Sequence, residues 1–311
     1  MGENLKNNTF KEDFFILAFT KYTPLKAVVF LVVLIIYLVS VLGNLIIIIL
    51  VGLVSQLHKP MYFFLCNLSV LDIMYVSSIL PKLLSITLSG DTFISFHGCF
   101  IQMSVFALCI DTYFLLLTAM AYDRYVAICK ALHYFIIMNR RTCMLLIVIS
   151  WLLGALNSLM CSMLVSMLNF CSSHEVNHFF CDLKTMLKLS CSDTTSLETI
   201  ISSEGVFWGM LPFTLILTSY GYIISTIMKI HTTFGRLKTF SSCSSHITVV
   251  IIYCFTVLIL YMKPQSEDSM EKDKVISLLY VALVPMLNPL VYSLRNKEVL
   301  KAIKKVCGKI I

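Results

Sequence analysis

Charge is scarce in this chain. Of its 311 residues only 13% are Asp, Glu, Lys or Arg, while 58% are hydrophobic, and mean hydropathy is +0.87. A soluble domain carries about a quarter of its residues charged, so the shortage excludes a soluble fold and leaves an integral membrane protein. Long polar stretches are lacking too, since the loops are short except from about Leu168 to Glu198, and nothing can hold an independent catalytic core. There is no glycine-rich phosphate loop, no pair of CxxC motifs and no GxSxG, so neither an enzyme nor a cofactor is expected. Met1 to Phe15 is polar and charged rather than basic and then apolar. No cleavable signal peptide is visible, and the first span is expected to serve as signal anchor.

What is present is apolar length. Ala27 to Leu57, Thr142 to Ser173, Gly205 to Met228 and Val275 to Leu294 carry no Asp, Glu, Lys, Arg or His, and each meets the ~20 residues a helix needs to cross a bilayer. Met61 to Pro81 is broken only by Asp72, Phe100 to Tyr122 only by Asp111, and Thr239 to Met262 only by His246. Seven spans follow, at about 25–54, 60–84, 98–129, 141–165, 199–229, 238–262 and 272–294, between an N-terminal segment 1–24 and a tail 295–311. The predicted fold is an all-α membrane protein, one seven-helix domain over 1–311 with a short amphipathic C-terminal helix.

The basic residues orient it. His58 and Lys59 follow span 1; Lys130, His133, Arg140 and Arg141 follow span 3; Lys229, His231, Arg236 and Lys238 follow span 5; and Arg295, Lys297, Lys301, Lys304, Lys305 and Lys309 lie in the tail. The positive-inside rule places these in the cytosol, so the N-terminus is expected outside, where Asn7-Asn8-Thr9 is a glycosylation acceptor at Asn7. The net charge of +7 belongs to the cytosolic face and reads as topology and attraction to anionic lipid, not as nucleic-acid binding.

The twelve cysteines sort by depth. Cys99 at the outer start of span 3 and Cys171, Cys181 and Cys191 in the loop between spans 4 and 5 lie on the oxidising side, where disulfides persist. Four cysteines allow three connectivities, and spacing does not choose among them. His178, Cys181 and Asp182 offer metal-ligand atom types, but Cys181 is a disulfide candidate and no metal is expected. Cys66, Cys109, Cys129, Cys143, Cys161, Cys243 and Cys254 fall in or beside spans and read as small apolar packers. Cys307, in the basic tail, is either palmitoylated or a free thiol.

Met120 to Cys129 reads MAYDRYVAIC. It sets an acid, an arginine and a tyrosine side by side at the end of an apolar stretch, where charge is tolerated only at the membrane boundary or in a dedicated contact. This segment, LHKPMYFFLCNLSVLDI at Leu57 to Ile73, Ser219-Tyr220, LKTFSSCSSH at Leu237 to His246 and PMLNPLVYSLRNKEV at Pro285 to Val299 together resemble the olfactory (odorant) receptors of the rhodopsin-like, class A G-protein-coupled superfamily. The likeness runs from about Phe10 to Lys305.

The resemblance implies roles for particular residues. Asp123, Arg124 and Tyr125 match the triplet whose arginine, held by its acid at rest, is released to meet the G protein. Asn288, Pro289 and Tyr292 match the NPxxY element, with Tyr220 as its partner from span 5; its proline breaks one backbone hydrogen bond and leaves a deformable point. Asp72 matches a buried acid that often joins a sodium-binding or water-filled network, or is a protonated acid bonded to Asn44 or Asn288. The implied disulfides are Cys99–Cys181 and Cys171–Cys191. The implied ligand chamber, in the outer halves of the spans, is lined by Phe106, Ala107, Ile110 and Asp111 on span 3, by Glu204, Gly205 and Trp208 on span 5, and by Val257, Leu258 and Tyr261 on span 6. Mostly apolar walls with few polar groups suit a small volatile molecule.

Two positions depart from the family pattern. Cys254 stands where a tyrosine usually links ligand to switch, and Tyr113 stands where span 3 usually carries an acid, while Asp111 presents its acid two residues earlier on another helix face. The expected function is an odorant receptor that raises cyclic AMP through a stimulatory, olfactory-type heterotrimeric G protein. Its expected location is the plasma membrane, in cilia of olfactory sensory neurons. The alternative is a class A receptor for an endogenous amine or peptide, although Phe106 stands where amine receptors hold an aspartate. A transporter or channel would show repeated halves or interrupted spans, and no internal repeat is visible.

Overall fold

The computed structural model describes residues 13–19, 26–170, 174–262, 270–295 and 297–310, though not the side chains at 238, 242, 245, 255–262, 270–273, 280, 292–295, 297 and 307–310. In chain order the helices are α1 (Lys26–Leu53), α2 (Pro60–Ser89), α3 (Phe96–Cys129), the one-turn α4 (Tyr134–Ile137), α5 (Arg140–Ser166), the short α6 (Leu183–Leu189), α7 (Thr195–Met228), α8 (Thr233–Met262), α9 (Met270–Arg295) and α10 (Lys297–Ile310). Six of them, α1, α2, α3, α5, α7 and α9, carry an apolar stretch long enough to cross a membrane, and α8 is the seventh long helix. The chain is a multi-pass membrane bundle. Its outward faces are apolar, with Leu31, Ile35, Leu42 and Ile49 of α1 each more than half exposed, as lipid rather than water requires.

Local chemistry sets the helix ends. Pro60 opens α2 and Gly90, at φ +75°, closes it by donating its N–H to the Ile86 carbonyl. The Ser95 and Asn139 side chains accept from the Gly98 and Thr142 amides at the starts of α3 and α5.

Helix α3 is the centre of the bundle and packs on α2, α5, α7 and α8. Its approach to α5 follows from a stripe of small residues on α5, Ser150, Gly154, Ser158 and Ser162, all buried at four-residue spacing. Ser158 donates to the Ser104 carbonyl at 2.5 Å and Ser104 to the Ser162 hydroxyl at 2.7 Å. A Cβ built on Gly154 would collide with the Thr112 Oγ1 and lie 3.1 Å from the Thr112 backbone nitrogen. Gly154→Ala is therefore expected to cost about 1–3 kcal/mol through overpacking, while Gly209→Ala, which meets nothing within 4 Å, is expected to be neutral. Thermal unfolding of the two purified variants checks this, and equal midpoints would mean that α3 and α5 do not meet at Gly154.

At the Cys99 end a small sheet crosses the bundle. Strand β1 (Phe14–Ile16) lies between β2 (Phe93–Ile94), antiparallel to it, and β3 (Glu175–Val176), parallel to it. Asp13 accepts from the Phe96 amide at 2.9 Å, and Lys274, buried at the start of α9, donates to the Ala18 carbonyl at 2.9 Å. Beneath the sheet, Phe14, Phe179 and Phe180 are fully buried. At the opposite end α10 buries Val299 and Ala302 and exposes Lys301, Lys304 and Lys305, which makes it amphipathic. Its Glu298 takes hydrogen bonds from Lys59 at 2.6 Å and Tyr62 at 2.9 Å. Burial alone would push that carboxyl up, but the two donors and the ammonium charge hold it below its usual value.

Candidate functional site

At the Arg124 end, α3 delivers Asp123 into the interior with no exposure, while Arg124 keeps its side chain 17% exposed. The Arg124 Nη2 lies 3.3 Å from Asp123 Oδ2 and also touches the Met61 sulfur. The other Asp123 oxygen accepts from the Tyr134 hydroxyl of α4 at 2.8 Å. Burial first, then the negative charge of Asp123, pushes the Tyr134 phenol up and keeps it a donor. Tyr125 points elsewhere, with its ring edge-on to Tyr222 of α7 at 5.9 Å. Tyr220 on α7 lies 2.5 Å from His246 Nδ1 on α8 and stacks on its ring. The lone histidine of span 6 therefore has a partner, although no sequence spacing pairs it with Tyr220. The Tyr292 side chain is outside the described residues.

Midway along the bundle the second of the two prolines inside α9 explains a polar contact. Pro289 has no N–H, so the Pro285 carbonyl four residues earlier has no helical donor. The buried Asn44 amide of α1 donates to it at 3.0 Å. Gly43 makes the approach possible, since a Cβ there would stand 3.0 Å from the Pro289 ring. Asp72 is bonded to Asn288 Nδ2 at 2.8 Å and not to Asn44. The same Asn288 nitrogen meets the Tyr113 hydroxyl. One Asp72 oxygen accepts from the Asn288 N–H, while Ser40 Oγ and Asn44 Oδ1 are buried oxygens with no hydrogen-bond partner among the described residues.

The predicted chamber residues divide. Phe106 is buried against Tyr75 of α2 (ring centroids 5.3 Å) and Phe180 of the loop (4.9 Å), with Ala107 and Ile110 half-buried on the same helix. Asp111 is buried and accepts from Asn157 of α5 at 2.9 Å. Glu204 of α7 lies 2.9 Å from the Cys161 thiol of α5. Asn157 and Cys161 complete a polar cluster that sequence reasoning missed, because neutral polar residues on a neighbouring helix leave no charge pattern. Trp208 is half-buried with its edge toward Phe207, and Gly205 is exposed with open space beyond it. Val257, Leu258 and Tyr261 lie on α8, but their side chains are outside the described residues. A separate groove of about 450 Å³ opens between α2 and α3, walled by Met74, Pro81, Lys82, Gly98 and Gln102. It lies away from the acid cluster.

Cys99 and Cys181 are joined by a disulfide, so the His178, Cys181, Asp182 triplet has no free thiolate to offer a metal. Cys191 is disulfide-bonded, while Cys171 and the Asn7 acceptor lie outside the described residues, as does the side chain of Cys307.

Comparison with known proteins bears on the whole chain. The family described as olfactory receptor matches residues 33–309. Human olfactory receptor 5I1 is 44% identical over 301 residues, 97% of this chain and 96% of its own length. Mouse olfactory receptor 5AR1 is 42% identical over 304 residues, 98% of each chain. Human olfactory receptor 13F1 is 44% identical over 300 residues, 96% of this chain and 94% of its own.

Proposed function

The chain belongs to the olfactory receptor family, a class of membrane-embedded G-protein-coupled receptors and not of enzymes, and from that premise we propose that it detects a small oxygenated odorant and raises cyclic AMP. The ligand chamber of this reading lies between α3, α5, α7 and α8 in the half of the bundle nearer Cys99, with the N-terminus outside the cell and the Arg124 end in the cytosol. A stimulatory, olfactory-type G protein is the proposed partner, and sensory cilia the proposed location. The observation that carries the ligand class is the cluster of Asp111, Asn157, Cys161 and Glu204 within the bundle. Each carboxyl there takes a neutral donor, and among the described residues neither forms an ion pair. Carboxyl, amide and thiol groups gathered inside an otherwise apolar bundle offer an oxygenated ligand hydrogen-bond partners that the surrounding walls lack.

The experiment is a cyclic-AMP screen of cells expressing the chain against aldehydes, esters, acids and amines, repeated with Asp111→Asn and Glu204→Gln. For an oxygenated agonist the amides are expected to shift potency by less than about tenfold, the scale of one hydrogen bond. For an amine agonist the loss of an ion-pair partner would cost ~3–5 kcal/mol, a fall of hundreds of times or more, and the ligand class would be cationic. If both variants keep the wild-type dose response to every agonist, neither acid belongs to the chamber.

A further inference from the structure

Tyr113, one of the two departures from the family pattern, stacks on Tyr253, the residue that precedes the other, Cys254. We infer that Tyr253 and Tyr113 together form the link from ligand chamber to switch that the tyrosine missing at Cys254 would otherwise supply. The contacts are continuous. Ile110, on the proposed chamber wall of α3, offers its backbone carbonyl to the Tyr253 hydroxyl of α8 at 3.1 Å. The Tyr253 ring stacks on Tyr113 with centroids 4.3 Å apart and planes 21° apart, and Phe114 closes its other side edge-on at 4.8 Å. The Tyr113 hydroxyl meets Asn288 Nδ2 of α9, the nitrogen that donates to Asp72 of α2. Tyr113, Tyr253, Asn288 and Asp72 are 4%, 6%, 3% and 2% exposed.

Each contact constrains the next. A ligand pressing on α3 beside Ile110 alters the acceptor of Tyr253, and in a close-packed core that ring cannot turn without moving the ring stacked on it. Tyr113 in turn places Asn288, one residue before Pro289, one of the two prolines at which α9 lacks a backbone hydrogen bond and can deform. A packed aromatic pair has discrete arrangements rather than a continuum, which is what a switch needs. In the arrangement seen, Arg124 still sits beside Asp123, so the pair holds the resting state.

The inference rests on the receptor reading above, and its test separates the two. Tyr113→Leu, Tyr253→Leu and the double variant remove the stack, while Tyr253→Phe keeps it. Basal cyclic AMP is measured at matched surface density. In parallel, the full chain is purified with Cys307→Ser and Arg236→Cys, and a bimane label at position 236 reports movement of the cytosolic end of α8 without any G protein. Each leucine variant is expected to raise basal cyclic AMP about two- to tenfold, the factor set by one aromatic pair. It is also expected to shift the label's emission, with the double variant no larger than either single and Tyr253→Phe close to wild type. Label shifts that follow this pattern while cyclic AMP stays silent would remove the proposed G-protein coupling and leave the link standing. A label unmoved by either leucine variant, or effects that add or simply track losses in thermal stability, would overturn the link.

Discussion

Arg124→Ala is expected to reach the cell surface at near wild-type density and to give no cyclic-AMP rise to any agonist. The Arg124 side chain meets Asp123 and Met61, at the end of the bundle opposite the disulfide and the sheet. Removing one partner of a fully buried ion pair costs about 3–5 kcal/mol. Here the penalty is smaller, because the Arg124 side chain is itself partly exposed and Asp123 keeps the Tyr134 hydroxyl. The folding cost is therefore survivable, whereas the proposed G-protein contact has no substitute. Asp123→Asn is expected to act oppositely, since Arg124 loses its counter-charge and basal signalling rises. Surface labelling read alongside cyclic AMP checks both, and a full response from Arg124→Ala would sink the coupling reading. If the alanine variant fails to reach the surface, Arg124→Gln, which keeps most of the bulk, decides the matter.

Most of the bundle was legible from where charge is missing. An apolar run of about twenty residues has few other fates, so the spans followed from gaps between charged residues. The three ionisable exceptions pointed to interior contacts. Their partners were less legible, because Asn288 for Asp72, Asn157 for Asp111 and Tyr220 for His246 are neutral residues on other helices. The need for the Asn44 contact was within reach of sequence logic, since Pro289 leaves the Pro285 carbonyl without a helical donor, as Pro285 does the Val281 carbonyl. Strands of two or three residues such as Phe93–Ile94 carry too little alternation to be seen, and the sheet went unread. The Cys99–Cys181 pairing came from family resemblance, for spacing left three connectivities open.

That disulfide carries the second large effect. Cys99→Ser or Cys181→Ser is expected to abolish most surface expression, and the double variant is expected to be no worse than either single. The bond joins residues 82 apart in sequence, and closing a loop of that length removes chain entropy worth at most roughly 4.5 kcal/mol. This is a large share of the ~5–15 kcal/mol that separates a folded protein from its unfolded ensemble. The loop it pins does more than cover the bundle. It sets Phe179 and Phe180 into the interior, sends the Cys181 amide to Gln102 at 2.9 Å, and supplies β3 to the sheet that holds the N-terminal strand. Loss of the anchor therefore loosens Phe180 from Phe106 and β1 from its parallel partner together. Either single serine breaks the same covalent link, so a second serine has nothing further to break. Gln102→Leu, which removes the amide contact but keeps the disulfide, is expected to lose far less, about 1–3 kcal/mol for an unsatisfied buried N–H. Quantitative surface staining of the four variants checks the scheme. Losses that add between the two serine variants would show that Cys99 and Cys181 do not pair with each other.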